Sequence, residues 1–373
     1  MTTTPVPPQV APFPEPHEEA VALAERLFGA SIGAFELVTV QLGVDLGLYA
    51  WLAQHPDARA ADLAGAAGVH ERYAREWLEQ QAAAGIVSVD DPSASPEARR
   101  YRLPAGHAEA LLDEESLAYI APLARFLVAL PPLLPDLEQA YRSGTGLAFG
   151  DFGEHVRIGQ AGFNRPSFTH LLTSTWLPDG VPDVHQRLEA APPARVLDVA
   201  CGAGWSSIAL ARGYPTIHVD GIDLDAPAIE QARATASALG LEERVEFDTR
   251  DAADPPGDRY EVAFVFEALH DLPHPVETLR AIREVLADDG CVIVMDERVG
   301  DEFAAPADDF ERFLYAASVL HCLPVGMSRQ PSAATGTLLR PATLRAYGNQ
   351  AGFSTTEILP IDHDFFRFYR LLP

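Results

Sequence analysis

Residues 266–275 read FEALHDLPHP. An apolar run, Val262 to Phe266, ends there, and the loop after it presents Glu267, His270 and Asp271 within five positions. A short run of that composition reads as a buried strand, so the ionisable groups stand at a strand's carboxyl end. Histidine titrates near neutral pH, and His270 therefore suits a general base that deprotonates a hydroxyl. With Asp271 and a second histidine it equally suits a transition-metal site of two imidazoles and one carboxylate. Its third role is structural, a packed ring that fixes the loop. The second histidine would be His321, 51 residues later in LYAASVLHCLPVGM, at the end of an apolar helical stretch. His274 and His363, as loop residues, rank below it.

A second group of chemistry-bearing residues lies upstream, in VLDVACGAGWSS. A buried strand delivers Asp198, and Gly202 and Gly204 permit a tight turn into a helix where a ligand can touch backbone. A dinucleotide fingerprint wants a third glycine three residues on, and that position is Ser207, which favours a nucleoside without a pyrophosphate. Asp223 ends the next strand, 25 residues after Asp198, where a carboxylate can accept both hydrogen bonds of a ribose diol. Asp251, 28 residues further, ends a third strand, where a carboxylate can accept from an adenine amino group. Asp225, before Ala226 and Pro227, reads as a helix N-cap instead. Cys201 reads as a small buried residue.

These residues need a sheet edge to hold them. From Pro193 onward short β-branched runs alternate with helical stretches, the pattern of an open parallel sheet with helices on both faces. This gives an α/β, Rossmann-like doubly wound domain over 191–373, with TEILPI and FFRFYRLL as final strands and the latter at the edge. Residues 17–106 read as a mainly helical, winged-helix-like domain: two helices around a turn at Gly68, then GIVSV and YRLP as a two-stranded wing. Residues 107–190 form a helical connector. Within it, GFNRPSFTHLLTSTWLP concentrates Asn164, Arg165, Phe168 and Trp176, and Arg165 could pair with a substrate carboxylate.

Composition excludes several classes. The 373 residues carry a net charge of −27, and residues 1–120 hold 7 arginines against 18 acids, so the wing-bearing domain repels nucleic acid. Dimerisation or a substrate lid is the better reading of it. All 27 Lys/Arg positions are arginine, which excludes Schiff-base chemistry. Cys201, Cys291 and Cys322 are too far apart for a metal-type pair and read as reduced thiols. No stretch approaches about 20 continuous apolar residues, so no membrane span is expected. The proline-rich residues 1–16 lack a signal core and read as a disordered leader, which leaves a cytoplasmic address.

Over roughly 193–300 the chain resembles the class I S-adenosylmethionine-dependent methyltransferases, and its layout resembles the bacterial small-molecule members with an N-terminal winged-helix-like domain. The resemblance implies S-adenosyl-L-methionine as cofactor. Asp198, Gly202 and Gly204, with Cys201 in the same loop, would hold its methionine end. Asp223 with Leu224 would hold the ribose, Asp251 with Ala252 the adenine, and Phe266 and Glu267 would close the site. His270–Asp271 with His321 also resembles the metal-dependent α-keto acid C-methyltransferases, which implies a divalent or ferric metal on those three residues and a 2-oxo acid acceptor. The alternative is O-methylation of a hydroxylated natural product with His270 as base. A cofactor-binding regulator without catalysis is the non-enzyme reading. The family's N-terminal domains imply a homodimer.

Overall fold

The structure, a computed structural model, describes residues 16–257 and 259–373. The leader expected at the N-terminus therefore lies, up to residue 15, outside the described residues. Helices Ala60–Ala67 and Glu71–Ala83 flank Gly68, whose positive φ of 66° ends the first. Strands β1 (Ser88–Val89) and β2 (Tyr101–Arg102) follow as an antiparallel wing. Leu48, Tyr49, Leu52, Leu63, Trp77, Leu78 and Tyr101 form this domain's core.

The 28-residue helix Glu18–Asp45 enters that core only near its end, through Val40, Gln41 and Gly43. Its length and a mean hydropathy of 1.6 over its most apolar window would suffice, by composition alone, to cross a membrane. Glu25, Arg26 and Glu36 break its apolar stretch, so the helix contains no continuous apolar run of about 20 residues, as expected. Phe28 and Phe35 are 70% and 74% exposed.

Seven strands build the second sheet: β3 (Arg195–Val199), β4 (His218–Asp223), β5 (Val245–Thr249), β6 (Tyr260–Phe266), β7 (Leu286–Glu297), β8 (Thr355–Ile358) and β9 (Phe366–Leu372). Their spatial order is β5-β4-β3-β6-β7-β9-β8, parallel except for the two pairings of β9. FFRFYRLL is thus not the edge. It inserts antiparallel between β7 and β8, because Phe366 and Phe368 bury on one face while Tyr369 buries on the other. Successive side chains point to opposite faces. In β6, Val262, Phe264 and Phe266 meet one helical layer, and Ala263 and Val265 the other. Burial on both sides explains why these strands read as continuous apolar runs.

The connector contains one long helical path. Gly153–Ser167 continues through a π-helical stretch, Phe168–Trp176, into Leu177–Gly180. A second π-turn, Ser318–Cys322, follows helix Asp309–Ala317 and carries His321.

Candidate functional site

The glycine loop is held from beneath by Asp198. Its carboxylate is almost fully buried, and Ser206 and Ser207 donate to Oδ2 at 2.6 and 2.5 Å. Burial pushes this carboxyl up to about 6, although the two hydroxyls pull it down. Its other oxygen, Oδ1, has no hydrogen-bond partner. Above it the backbone turns through Ala200, Gly202 and Gly204, with φ of 56°, 52° and 77°. A Cβ on Gly204 would stand 2.5 Å from Phe247 and 2.9 Å from Ala232, so packing demands glycine there. A Cβ on Gly202 would meet no protein atom within 4 Å. The loop thus offers an open backbone cradle over an orphaned carboxylate oxygen, which fits a polar ligand.

Asp223 receives backbone N–H bonds from Gly202 and from Asp225, each 2.8 Å. Burial raises its pKa, against the pull of those two amides. Beside it Leu224 is 56% exposed, an apolar shelf at a sheet edge that otherwise presents acids. Asp225 does stand at the N-cap position of helix Ala226–Ala238, but its side chain makes no cap. It turns to Arg157, and the pair is partly buried. Asp251 accepts from Ala253 N at 3.0 Å and pairs with Arg329 at 2.5 Å. Burial would raise its pKa, yet the amide and the guanidinium together leave it lowered. Ala252 is buried next to it. Asp198, Gly202, Gly204, Asp223, Leu224, Asp251 and Ala252 thus fall along one carboxyl edge.

His270 lies on a single 3-10 turn, Leu269–Asp271, and is buried. Its Nδ1 is 3.0 Å from Asp296 Oδ1 and 3.2 Å from Glu297 Oε2, and its Nε2 is 3.2 Å from Asp271 Oδ1. With carboxylates on both ring nitrogens the imidazolium is favoured. Burial alone would depress the histidine, but Asp296, Glu297 and Asp271 raise it well above its ordinary value. Burial likewise pushes Glu267 up to about 7, with Asn164 opposing as hydrogen-bond donor. Glu267 also has a positive φ of 49°, and its N–H donates to Met295 O at 2.8 Å. Such strain in a non-glycine residue collects at functional sites. Asp296 and Glu297 were not anticipated. Their signal is present in VIVMDE, a fourth strand ending in acids, and the pairing of β6 with β7 brings it beside His270.

Other expectations fail on geometry. His270, Asp271 and His321 do not assemble as one donor set: among the described residues the sets within 4.8 Å are His270–Asp271–Cys322 and His270–Asp296–Glu297, and His321 belongs to neither. Its ring sits among the edges of Phe126, Phe149 and Phe152, and burial first of all lowers its pKa. The residues present therefore do not fit the metal site that the resemblance implied. Arg165 is not free for a substrate carboxylate. It pairs with Glu114 and Glu115 and lies over the Trp205 ring, 4.2 Å from its centroid. Phe266 packs as core against Phe264 and Phe168. Cys201, by contrast, keeps the non-nucleophilic character expected of it, since burial and then Asp198 and Asp223 raise its thiol pKa. His274 bonds to the Pro331 carbonyl and His363 stacks on Phe366.

A sheet of this order, with a glycine cradle and acids at successive strand ends, defines a class I methyltransferase fold behind a winged-helix domain. Comparison with known proteins agrees. Residues 192–328 match a methyltransferase domain, and residues 34–112 match an Rv2258c-like winged HTH domain. Ajmaline N-methyltransferase of Rauvolfia serpentina is 28% identical over 169 residues, 43% of this chain and 56% of that enzyme. The chain thus spans little more than half the length of that curated relative. The mitomycin 7-O-methyltransferase MmcR superposes with a TM-score of 0.69 at 20% identity, covering 95% of this chain and 98% of the other. The O-methyltransferase NcsB1 of neocarzinostatin biosynthesis, solved with S-adenosyl-L-homocysteine and 1,4-dihydroxy-2-naphthoic acid, superposes at 0.59 with 19% identity over 90% of this chain and 95% of its own.

Proposed function

We propose that the protein is an S-adenosylmethionine-dependent methyltransferase that methylates a hydroxyl of a small organic acceptor, with His270 as general base. The observation that carries this reading is the buried His270, held by Asp296 on one nitrogen, beside a carboxyl edge built for a nucleoside. Bound S-adenosyl-L-methionine would supply an electrophilic methyl group. Asp198, Gly202 and Gly204 would hold its methionine end, Asp223 and Leu224 the ribose, and Asp251 and Ala252 the adenine. Asp296 accepts from Nδ1 and so fixes the tautomer whose Nε2 takes the acceptor's proton. Asp271 stands on that nitrogen in the ligand-free protein and must yield to the acceptor. In-line placement of the acceptor oxygen supplies most of the remaining acceleration.

Hydroxylated acceptors are favoured over 2-oxo acids for two reasons. Deprotonating a hydroxyl needs a base, and His270, held by Asp296 on Nδ1, supplies one. His321 also stands outside the donor sets. The dihydroxynaphthoic acid on NcsB1 supports an aromatic hydroxyl acceptor. The exposed apolar face of Glu18–Asp45 supports a homodimer, and the acidic winged domain supports the absence of nucleic acid. The cytoplasmic address belongs to the same proposal.

The test is calorimetry with S-adenosyl-L-methionine, then turnover on a panel of phenols and 2-oxo acids with and without EDTA. Binding with chelator-resistant methylation of phenols is expected. Methylation of 2-oxo acids that EDTA abolishes and iron, zinc or cobalt restores would return the metal reading. Binding without turnover would favour the regulator.

A further inference from the structure

Helix Gly153–Ser167 crosses the carboxyl ends of three neighbouring strands and grips the loop after each. Arg157 holds Asp225, two residues past Asp223 at the end of β4. Asn164 donates to Glu267, which follows β6. Arg165 covers Trp205, the first residue of the helix that the glycine loop after β3 leads into. Positions 157, 164 and 165 stand at i, i+7 and i+8, one stripe of a single helix. The remaining face of Arg165 is tied to Glu114 and Glu115, just beyond helix Ala105–Leu112.

We infer that Arg157, Asn164 and Arg165 are positioning residues for the cofactor, a strap that sets the ribose, methionine and acceptor-side loops at once. Arg157 acts through Asp225, whose amide donates to Asp223 Oδ1 at 2.8 Å. With Asp225 pinned by a forked guanidinium contact, Asp223 is held ready for a diol. Arg165 acts through Trp205, on the helix whose Ser206 and Ser207 orient Asp198. Asn164 holds Glu267 in its strained conformation. The inference rests on the reading of this edge as the S-adenosylmethionine site.

Calorimetry with S-adenosyl-L-homocysteine on the full chain tests it, joined by steady-state kinetics on the acceptor found above. Arg157→Ala is expected to raise Kd and the cofactor KM roughly tenfold while kcat stays within about twofold, a split between binding and chemistry. Apo-protein unfolding should show a loss of stability as well, because Asp225 is left without its partner, so Kd is read well below the variant's melting temperature. Arg157→Lys keeps the charge but loses the fork, and should fall between. The reversed pair Arg157→Asp with Asp225→Arg should recover most of the affinity, which a merely structural contact would not make specific to cofactor. If Arg157→Ala does not fold, Arg157→Lys and Arg165→Ala decide the matter by the same Kd. Wild-type affinity in folded Arg157 and Arg165 variants overturns the strap alone. Absence of binding by the wild-type protein overturns the site reading and the strap with it.

Discussion

Two buried ionisable residues set opposite pH demands on this protein. Asp198 has its pKa raised from 3.8 to about 6, chiefly by burial. Its ionisation costs the fold nothing below the unfolded value, and the penalty grows as pH rises between those two values. Asp198→Asn should therefore stabilise the apo protein by about 3 kcal/mol at pH 8 and by little at pH 4. It should also abolish cofactor binding, since Oδ1 is the unpartnered atom. Denaturant unfolding at both pH values reads the difference, and an equal effect at the two would sink the assignment. His270 behaves in the other sense. Flanking carboxylates outweigh burial and raise its pKa, so its base form appears only above the ordinary imidazole range. The rising limb of kcat/KM should lie well alkaline of 6.5, and Asp296→Asn should move it to lower pH. His270→Ala should lose about 10²–10⁴ in kcat with cofactor affinity kept.

At the scale of elements, the turn from β3 into helix Trp205–Gly213 separates two uses of glycine. Both Gly202 and Gly204 occupy the left-handed region. Only Gly204 is packed against protein, at Phe247 and Ala232. Gly204→Ala is expected to cost about 2–4 kcal/mol of stability from overpacking and backbone strain together. Gly202→Ala should cost only about 1–2 kcal/mol, because nothing but its φ resists the methyl group. Yet it should bind S-adenosyl-L-homocysteine far more weakly, since its Cβ fills the open cradle. Thermal melts with and without the ligand separate the two effects. A Gly202→Ala protein that still gains full ligand stabilisation would show that the cradle is not the cofactor's seat.

At the scale of the molecule, helix Glu18–Asp45 leaves Val21, Phe28, Ile32, Phe35 and Leu42 exposed, at spacings of three, four and seven. A contiguous apolar face of this kind marks a partner surface. Light scattering should return twice the 40.3 kDa chain mass, and Phe28→Ser with Phe35→Ser should halve it. A wild-type monomer would refute the dimer.

Local chemistry made the α/β alternation, the glycine turn and the acids at 198, 223 and 251 legible, because each depends on hydrophobic period or on a residue type few positions tolerate. The same reasoning singled out His270 and Asp271, whose place after a buried strand is a local fact. It missed Asp296 and Glu297, which reach His270 only because β7 pairs with β6. It misjudged Arg165 and His321, whose types suit a site but whose neighbours, Glu114, Glu115 and Trp205 in one case and three phenylalanines in the other, lie far away in the chain. Composition and periodicity determined the layers and the nucleoside edge. Strand order and helix packing decided which charges face each other, since those contacts join residues that no local pattern relates.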